Sequence, residues 1–370
     1  MDTVRFGIIG MGNIGMVHAE NLLNGRVSRG ELAAVASSSS VKREVWQQRG
    51  VKVFEDVGQL LQSRAVDAVI IATPHWQHTE LGLKAFAAGV HVLMEKPIAA
   101  HKADAEKLLA AHRHNSKIIF GCMYQMRVEP RFQKIRALIQ AGELGQIVRV
   151  NWINTDWYRT AAYYASGGWR ATWAGEGGGV LLNQCLHNLD TLQWICGMPA
   201  RVRGFCQFGR FHQIEAEDNV TAYLEWAPGA TGVFVSSTGE APGTNRFEIA
   251  GTRGKLVLEN DRLAFTRNET DMIEFSQAAK QGFVKPETRT EEIVLEKSAH
   301  PHAAITQNFV NAILDGEPLI APGDEGIHAL ELANAITLSS LQNEMVELPM
   351  AGARWENKLR ELMAQSAARA

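Results

Sequence analysis

The chain has 370 residues, a length that indicates roughly two domains. Its 37 Lys and Arg nearly balance 40 Asp and Glu, for a formal net charge of -3, which argues against nucleic acid or an anionic membrane as the main partner, because both call for clustered positive charge. The four cysteines show no zinc-like spacing, no apolar run approaches the ~20 residues that span a bilayer, and no basic leader precedes the first predicted strand, so we expect a soluble cytoplasmic protein with free thiols.

A glycine-rich turn follows the first predicted strand and opens a helical pattern. The turn, Gly10-Met11-Gly12-Asn13-Ile14-Gly15, has the spacing of a dinucleotide-binding motif in the strand–helix context that this motif requires. Gly10 would allow the tight turn, Gly12 the close approach of a pyrophosphate, and Gly15 the packing of helix on sheet. The phosphate would bind the free N–H groups of the helix N-terminus, including those of Asn13 and Ile14. A glycine-rich turn without a ligand is the alternative.

Strands and helices alternate through the first 125 residues. We predict strands at 4–9, 32–36, 51–54, 67–72, 90–94 and 117–123, and helices at 41–49, 57–62, 77–88 and 101–114. Alternation at this spacing predicts an α/β fold with a parallel, doubly wound sheet. We therefore assign residues 1–125 to a Rossmann dinucleotide-binding domain.

The end of the second predicted strand bears on which nicotinamide dinucleotide binds. An acid there would bond the ribose 2′-OH of NAD, but this chain has a serine run that includes Ser37 and Ser38. Lys42 and Arg43 lie within reach of the same turn, which leans the prediction slightly to NADP or to dual use. If these two are only solvated helix residues, NAD binds through the serine hydroxyls. NAD and NADP both stay open.

Two later strand ends should lie at the same ligand-binding edge of the sheet. Thr73-Pro74 ends the fourth strand, and His78 follows where it could contact a ribose or nicotinamide. His75 and His78 have metal-like spacing but lack a third ligand, so we expect no metal. Glu95-Lys96-Pro97 ends the fifth strand, where Pro97 stiffens the turn. Glu95 and Lys96 are candidate cofactor contacts, and Lys96 is also a candidate catalytic group. The alternative is an exposed lysine in a strand-end turn.

Much of the remaining chain is rich in strands without intervening helices. This pattern predicts an α+β domain over residues 126–370 with a large, mostly antiparallel sheet. We predict a hairpin from 220–226 and 231–237, a polar and irregular excursion over 260–290, and helices at 128–140, 302–315 and 324–341. A large open face of this sheet would favour a homo-oligomer, either a dimer or a tetramer. The tail, 351–370, is partly amphipathic and would pack on the body or on a partner subunit.

A glycine run, Gly177-Gly178-Gly179, is predicted to start a helix with a polar stripe. Asn183 and His187 are four residues apart and would share one helical face. Asp190 follows three residues later and could orient the histidine, which is the natural base near neutral pH. The polar stripe behind a glycine run favours a functional helix over its alternative, a buried helix with hydrogen-bonded core polar residues.

The segment 152–173 combines many aromatic side chains with two arginines. Flat aromatic faces suit the C–H faces of a sugar ring, and arginine donors suit its hydroxyl groups, so we predict a substrate pocket here. A packed layer at a subunit interface would use the same residue types, and we expect some residues to serve each role. The residues are Trp152, Trp157, Tyr158, Arg159, Tyr163, Tyr164, Trp169, Arg170 and Trp173.

Together these motifs resemble the Gfo/Idh/MocA oxidoreductases, the relatives of glucose–fructose oxidoreductase and inositol dehydrogenase. The resemblance covers nearly the whole chain and implies that Lys96 and His187 are catalytic. Many members carry aspartate four residues before that histidine, where this chain has Asn183. Asparagine cannot take a proton, so it would hold a substrate hydroxyl or the imidazole by hydrogen bonds. The run 168–173 and the later Asn-Gln-Cys-x-His are similar to a subgroup that acts on glycosides, including enzymes that oxidise the C3 hydroxyl.

The resemblance implies a nicotinamide-dependent dehydrogenase for a sugar, glycoside or polyol. His187 would take the hydroxyl proton, and Lys96 would donate to the same oxygen and stabilise its developing negative charge. Arg159, Tyr163, Trp169 and Arg170 would shape the pocket. Two alternatives use the same residues or the same fold: an NAD-dependent glycosidase that oxidises C3 transiently, and a cofactor-sensing regulator without catalysis.

Overall fold

The computed structural model describes residues 2–368, which fold into two sheets with helices packed against them. The first sheet is made of β1 (Val4–Ile9), β2 (Gly30–Ala36), β3 (Lys52–Phe54), β4 (Ala68–Ile71), β5 (His91–Met94) and β6 (Phe120–Cys122). The helices between these strands are α1 (Asn13–Leu23), α2 (Ser40–Gln48), α3 (Val57–Gln62), α4 (His75–Ala87) and α5 (Lys102–Arg113). All strand pairs are parallel, in the order β3-β2-β1-β4-β5-β6. The predicted Rossmann sheet is confirmed.

The strand order reverses at β1, which has β2 on one side and β4 on the other. Both β1 and β4 are almost wholly buried, because helices cover both faces of a parallel sheet and select continuous apolar strands. A crevice for ligands opens outside the carboxyl ends of the strands at such a reversal. Gly10 and Thr73 lie just beyond the carboxyl ends of these two strands.

The second sheet has nine strands, in the order β14-β13-β12-β11-β7-β10-β9-β8-β15. They are β7 (Ile147–Asn154), β8 (Arg201–Phe208), β9 (Glu217–Glu225), β10 (Thr231–Ser237), β11 (Asn245–Gly251), β12 (Gly254–Glu259), β13 (Arg262–Asn268), β14 (Thr288–Ile293) and β15 (Val346–Glu347). The pairing of β7 with β10 is parallel and the other pairings are antiparallel. The predicted hairpin is confirmed, with Thr231 opposite Glu225.

Helices of the second half cover one side of this sheet or return to the first. They are α6 (Pro130–Gln140), α7 (Ala161–Ala165), α8 (Leu186–Cys196), α9 (Met272–Ala278), α10 (Pro301–Asp315), α11 (Gly326–Gln342) and α12 (Gly352–Ala367). The prediction of an irregular excursion over 260–290 is wrong, because this range contains β13 and α9. Leu263 and Phe265 are the two buried side chains of β13, and this short alternation was obscured by the polar residues that flank it.

The last helices tie the two halves of the chain together. Phe309 of α10 packs against Phe6 of β1, with ring centroids 6.3 Å apart. Trp355 of α12 is buried against Trp173, so the described part of the tail packs on the body, as one of the two predicted alternatives. The predicted domain boundary at residue 125 stays a prediction. Helix α10, which lies well beyond this boundary in the chain, packs against β1 of the first sheet. None of the helices in residues 2–368 has both the length and the apolar character needed to cross a membrane.

Candidate active site

The glycine-rich turn after β1 has the backbone shape that the motif requires. Gly10 has φ of 94°, and a Cβ there would lie 2.7 Å from the carbonyl oxygen of Ala72. A Cβ on Gly15 would lie 2.1 Å from the carbonyl oxygen of Gly10, whereas one on Gly12 would meet nothing within 4 Å. Asn13 begins α1, and Gly12 before it has no side chain that could cap the helix. The turn therefore fits a dinucleotide pyrophosphate, because it offers open space beside free N–H groups.

The end of β2 contains both positive and negative groups. Nη1 of Arg43 donates to the carbonyl oxygen of Ser37 at 2.8 Å, and the same guanidinium pairs with Glu55 at 3.3 Å. Ser38 and Lys42 are exposed beside this edge. Glu55 directly follows β3, so an acid does stand near this edge, although the serine run itself has none. Its position after a short strand was the signal that could have revealed it.

The side chain of His78 lies between the segments that follow β4 and β5. Its Nδ1 lies 2.7 Å from the carbonyl oxygen of Pro97, and its Nε2 lies 2.8 Å from that of Thr73. The ring is fully buried. A neutral imidazole has one N–H and can donate to one of these two oxygens at a time, and the predicted contact of His78 with a cofactor stays a prediction. The ring lies between the carbonyl oxygens of Thr73 and Pro97 and so bridges the two strand ends that carry Thr73-Pro74 and Lys96.

Glu95 directly precedes Lys96 and is buried against His18. Its Oε1 is 2.7 Å from Nε2 of His18, and its Oε2 accepts from the backbone N–H of Lys96 at 3.1 Å. Burial raises the pKa of Glu95, but the hydrogen bond and the positive charges of His18 and its neighbours outweigh burial and lower this pKa to about 2. Both carboxylate oxygens are thus bonded inside the protein, and the predicted contact of Glu95 with the cofactor stays a prediction.

Lys96 points from this turn toward the second half of the chain. Its Nζ donates to the backbone carbonyl oxygen of Asn183 at 2.8 Å. Burial lowers the pKa of Lys96, while the negative charges of Glu95 and Glu176 oppose this shift. The contact joins the carboxyl edge of the first sheet to the segment that precedes His187, as the predicted site requires.

The glycine run does not start a helix, which corrects the sequence prediction. Gly177 has φ of 82°, and a Cβ on Gly179 would lie 2.0 Å from the carbonyl oxygen of Glu217. The Glu217 carboxylate accepts from the N–H groups of Gly179 at 2.9 Å and Leu181 at 3.1 Å. The chain forms turns at the glycine run, and α8 begins only at Leu186. Asn183 therefore lies in the turn before the helix.

His187 lies in the first turn of α8 and is buried. Its Nε2 is 3.2 Å from Nε2 of Gln125, and its Nδ1 is enclosed without a hydrogen-bond partner among residues 2–368. Burial, followed by the positive charge of Lys96, lowers the pKa of His187 well below 6.5. The imidazole is thus neutral at physiological pH, the state that a general base needs.

Asp190 does not orient His187, contrary to the prediction. Its two oxygens accept from Nε of Arg127 at 2.8 Å and from Nη2 at 2.7 Å. Arg127 also contacts Glu325 and the carbonyl oxygen of Ile320 at 3.2 Å. The fully buried ion pair anchors α8 to the segment after β6. It positions the helix that carries His187 without touching the imidazole.

Tyr163 is the centre of the predicted substrate cluster. Its hydroxyl oxygen lies 2.9 Å from Nη1 of Arg170, 3.0 Å from Nε2 of Gln184 and 3.4 Å from Nδ2 of Asn183. The Arg170 guanidinium also stacks on the Trp169 ring, 4.6 Å from its centroid. The structure thus brings Tyr163, Trp169, Arg170 and Asn183 together next to Lys96.

Other residues of the aromatic segment have structural roles. Trp152 stacks on Phe247 inside the second sheet, with centroids 4.3 Å apart. Trp173 is buried near Trp355. Nη1 of Arg159 donates to the carbonyl oxygen of Tyr158 at 2.9 Å, while its guanidinium lies 5.2 Å from the Tyr163 ring centroid. The segment therefore divides between core and cluster, and the guanidinium groups of Arg159 and Arg170 both lie over the Tyr163 ring.

Glu176, Gln125 and Gln184 border the candidate site but were not predicted from the sequence. Glu176 is buried, and its carboxylate accepts from the side-chain amide of Asn183 and the backbone N–H of Ala171. Its signal was present, because Glu176 is the one charged residue between 171 and 185. Gln125 follows β6 at the carboxyl edge of the sheet, a position that predicts ligand contact.

Comparisons with known proteins agree with this arrangement. The model of an oxidoreductase family with an NAD-binding Rossmann fold, GFO_IDH_MocA, matches residues 4–122, and the model of the GFO/IDH/MocA C-terminal domain matches residues 132–257. A myo-inositol 2-dehydrogenase of Thermotoga maritima is 24% identical over 93% of this chain and 98% of its own. An inositol 2-dehydrogenase of Rhizobium meliloti is 24% identical over 94% of this chain and 99% of its own.

The fold has solved counterparts as well. The WlbA dehydrogenase from Bordetella pertussis, whose structure contains NADH and UDP-GlcNAcA, superimposes with a TM-score of 0.79. It is 24% identical, and the match covers 94% of this chain and 100% of that chain. At this identity the similarity demonstrates the shared fold.

Proposed function

Because the chain belongs to the GFO/IDH/MocA family of oxidoreductases, we propose that it oxidises or reduces a sugar, glycoside or polyol at a hydroxyl-bearing carbon. The observation that carries this proposal is the 2.8 Å contact between Nζ of Lys96 and the carbonyl oxygen of Asn183. It places a partly desolvated ammonium between the nucleotide-binding edge and the Tyr163 cluster. The inositol dehydrogenases among the relatives act on a polyol by name, which supports the substrate class.

Each polar residue of the proposed site has a separate task. The nicotinamide cofactor, when bound, supplies hydride chemistry. His187 takes the hydroxyl proton at Nε2, because Nδ1 is enclosed and the Gln125 amide can donate to an unprotonated Nε2. Lys96 donates to the same substrate oxygen and stabilises its developing charge. Tyr163, Arg170 and Trp169 hold the sugar ring by hydrogen bonds and by stacking.

The proposal includes use of both NAD and NADP. The NAD-binding Rossmann model that matches the first domain supports NAD. Exposed Lys42 and the Arg43 guanidinium at the end of β2 support the acceptance of a 2′-phosphate, whereas the nearby Glu55 opposes it. A preference for NAD with measurable use of NADP is the outcome that this balance of charges favours.

A panel of sugars, glycosides and polyols, run with NAD and with NADP, tests the proposed function. We expect reduced nicotinamide to accumulate, measured by its absorbance, with at least one compound. Release of an aglycone without such accumulation would indicate the glycosidase instead. A cofactor that binds, followed by no turnover of any compound in either direction, would favour the regulator and contradict the proposal.

The electrostatics of the site predict a pH profile. Since burial and Lys96 lower the pKa of His187 well below 6.5, the base stays unprotonated through the neutral range and is lost only when a more acidic solution protonates it. We expect the acidic limb of kcat/KM to have its midpoint below pH 6.5, because kcat/KM reports the ionisations of the free enzyme. Cofactor binding measured over the same range is the control. An acidic midpoint at or above 6.5 would remove His187 from the role of base.

We also propose that a second copy of the chain covers the open face of the second sheet. Val233, Val235 and Tyr223 on the central strands are only half-buried, and Phe205 is exposed. A face of this kind favours association with a self-complementary surface. Sedimentation of the purified protein measures the assembly, and a monomer at high concentration would exclude it.

We also propose a cytoplasmic location, which the free thiols support.

A further inference from the structure

The half-buried ammonium of Lys96 has few charged groups to balance it. Its hydrogen-bond acceptor is a neutral backbone carbonyl, that of Asn183. A buried cation is costly unless a negative charge lies nearby. Glu95 and Glu176 are the carboxylates that act on Lys96, and Glu95 is already held by His18 on one oxygen and by a backbone N–H on the other. Glu176 is therefore the carboxylate still to be explained.

The Glu176 carboxylate is buried and is hydrogen-bonded to Asn183, the residue whose backbone oxygen binds Lys96. One oxygen accepts from Nδ2 of Asn183 and the other from the backbone N–H of Ala171. Burial raises the pKa of Glu176, while the N–H of Ala171 and the positive charges of Arg170 and Lys96 oppose this shift. Two further titratable groups lie nearby: Nδ1 of His75 is 3.2 Å from the backbone oxygen of Glu176, and the charge of Glu176 contributes to the raised pKa of Glu217.

Asn183 links this carboxylate to the lysine through two different atoms. Its side-chain amide binds Glu176, and its backbone oxygen binds Nζ of Lys96. The same amide lies 3.4 Å from the hydroxyl oxygen of Tyr163. A rotation of the Asn183 side chain would therefore break its contact with Tyr163 but leave in place the backbone oxygen that binds Lys96. Glu176 is the acceptor that holds this side chain and, through it, restrains the turn whose backbone binds Lys96.

We propose that Glu176 is a positioning residue of the active site, which fixes the Asn183 turn and supplies the negative charge that faces Lys96. Its importance for turnover rests on the proposed function. Its restraint of the Asn183 side chain does not, because the hydrogen bonds to Asn183 and Ala171 exist in the protein itself. A carboxylate whose only role was to cap the N–H of Ala171 would not be coupled to residue 183.

Moving the carboxylate from residue 176 to residue 183 tests this role. Glu176→Gln keeps the shape and removes the charge, and we expect kcat to fall on the order of 10–100-fold with cofactor affinity unchanged, as for a misplaced catalytic group. Asn183→Asp alone would put two carboxylates in contact, which should lower both kcat and the melting temperature, most strongly above neutral pH, where both are ionised. The double variant Glu176→Gln/Asn183→Asp restores one carboxylate and one amide in reversed order.

The double variant is the decisive protein. We expect it to recover kcat to within about threefold of the original protein and to regain the melting temperature lost in Asn183→Asp, since coupled neighbours are strongly non-additive. Glu215→Gln is the matched control, because Glu215 also caps a backbone N–H, that of Trp173 at 2.9 Å, and makes no contact with Asn183; its turnover should stay unchanged.

The two readouts separate this inference from the proposed function. Additive losses in the double variant, in kcat and in melting temperature alike, would overturn the role of Glu176 while leaving the dehydrogenase intact. If no substrate is turned over at all, the proposed function fails, and the melting temperatures of the four proteins still measure the coupling. Recovery of the melting temperature in that case would support the charge partnership on its own.

Discussion

Replacement of Lys96 by alanine should lower kcat by roughly 10²–10⁴-fold, the range expected when a group that donates to developing negative charge is removed. Lys96 occupies the point where the edge of the first sheet meets the Asn183 turn. The glycine-rich turn that fits the pyrophosphate follows another strand, β1. We therefore expect the affinity for NADH, measured by fluorescence titration, to change by no more than a few-fold.

A lysine on the same domain provides the control for this experiment. Lys84 is exposed and pairs with Glu80 one helical turn away, so Lys84→Ala should leave kcat and cofactor affinity unchanged. Near-normal turnover of the Lys96 variant would remove Lys96 from the chemistry. A loss of NADH binding that accounts for the whole defect would instead make Lys96 a cofactor ligand.

Replacement of Arg127 by methionine should lower the free energy of unfolding by about 3–5 kcal/mol, because it leaves a buried carboxylate without its partner. Asp190 has no exposed surface, and it is held by two nitrogens of Arg127. The measurement is urea denaturation at constant pH. Since Gln193 also donates to Asp190 at 3.0 Å, the loss should fall toward the lower end of this range.

Two further variants make this prediction specific. In Arg127→Met/Asp190→Leu both charges are gone, and we expect much of the stability to return, as for buried ion pairs replaced by apolar residues of similar size. Arg131→Ala breaks the more exposed pair with Asp261, which should cost less than about 1 kcal/mol. Equal losses for Arg127 and Arg131 would mean that burial of the Arg127 pair contributes nothing.

Local patterns were sufficient to predict the first sheet. Strands such as β4 are apolar at every position because both faces are covered, and the glycine motif and Lys96 follow strand ends that can be recognised from their own sequence. Those features depend on neighbours within a few residues. The carboxyl edge of the sheet, and with it half of the candidate site, could therefore be inferred without any tertiary information.

Contacts between distant residues decided the parts that failed. The glycine run forms turns packed against Glu217, a residue well beyond it in the chain that accepts from the N–H groups of Gly179 and Leu181. Asp190 binds Arg127, which lies 63 residues earlier in the chain, and does not orient His187. No periodicity within one helix reports a partner of this kind.

The return of α10 to the first sheet bears on how the cofactor half can be exchanged between relatives. Phe309 packs on Phe6, and a Cβ on Gly121 would lie 3.1 Å from the Phe309 ring. A chimera that transplants only residues 1–125 would place a foreign sheet against this helix and expose or crowd its apolar contacts. The exchangeable unit is therefore discontinuous: a graft that changes nucleotide preference has to include residues 301–315 along with the N-terminal segment.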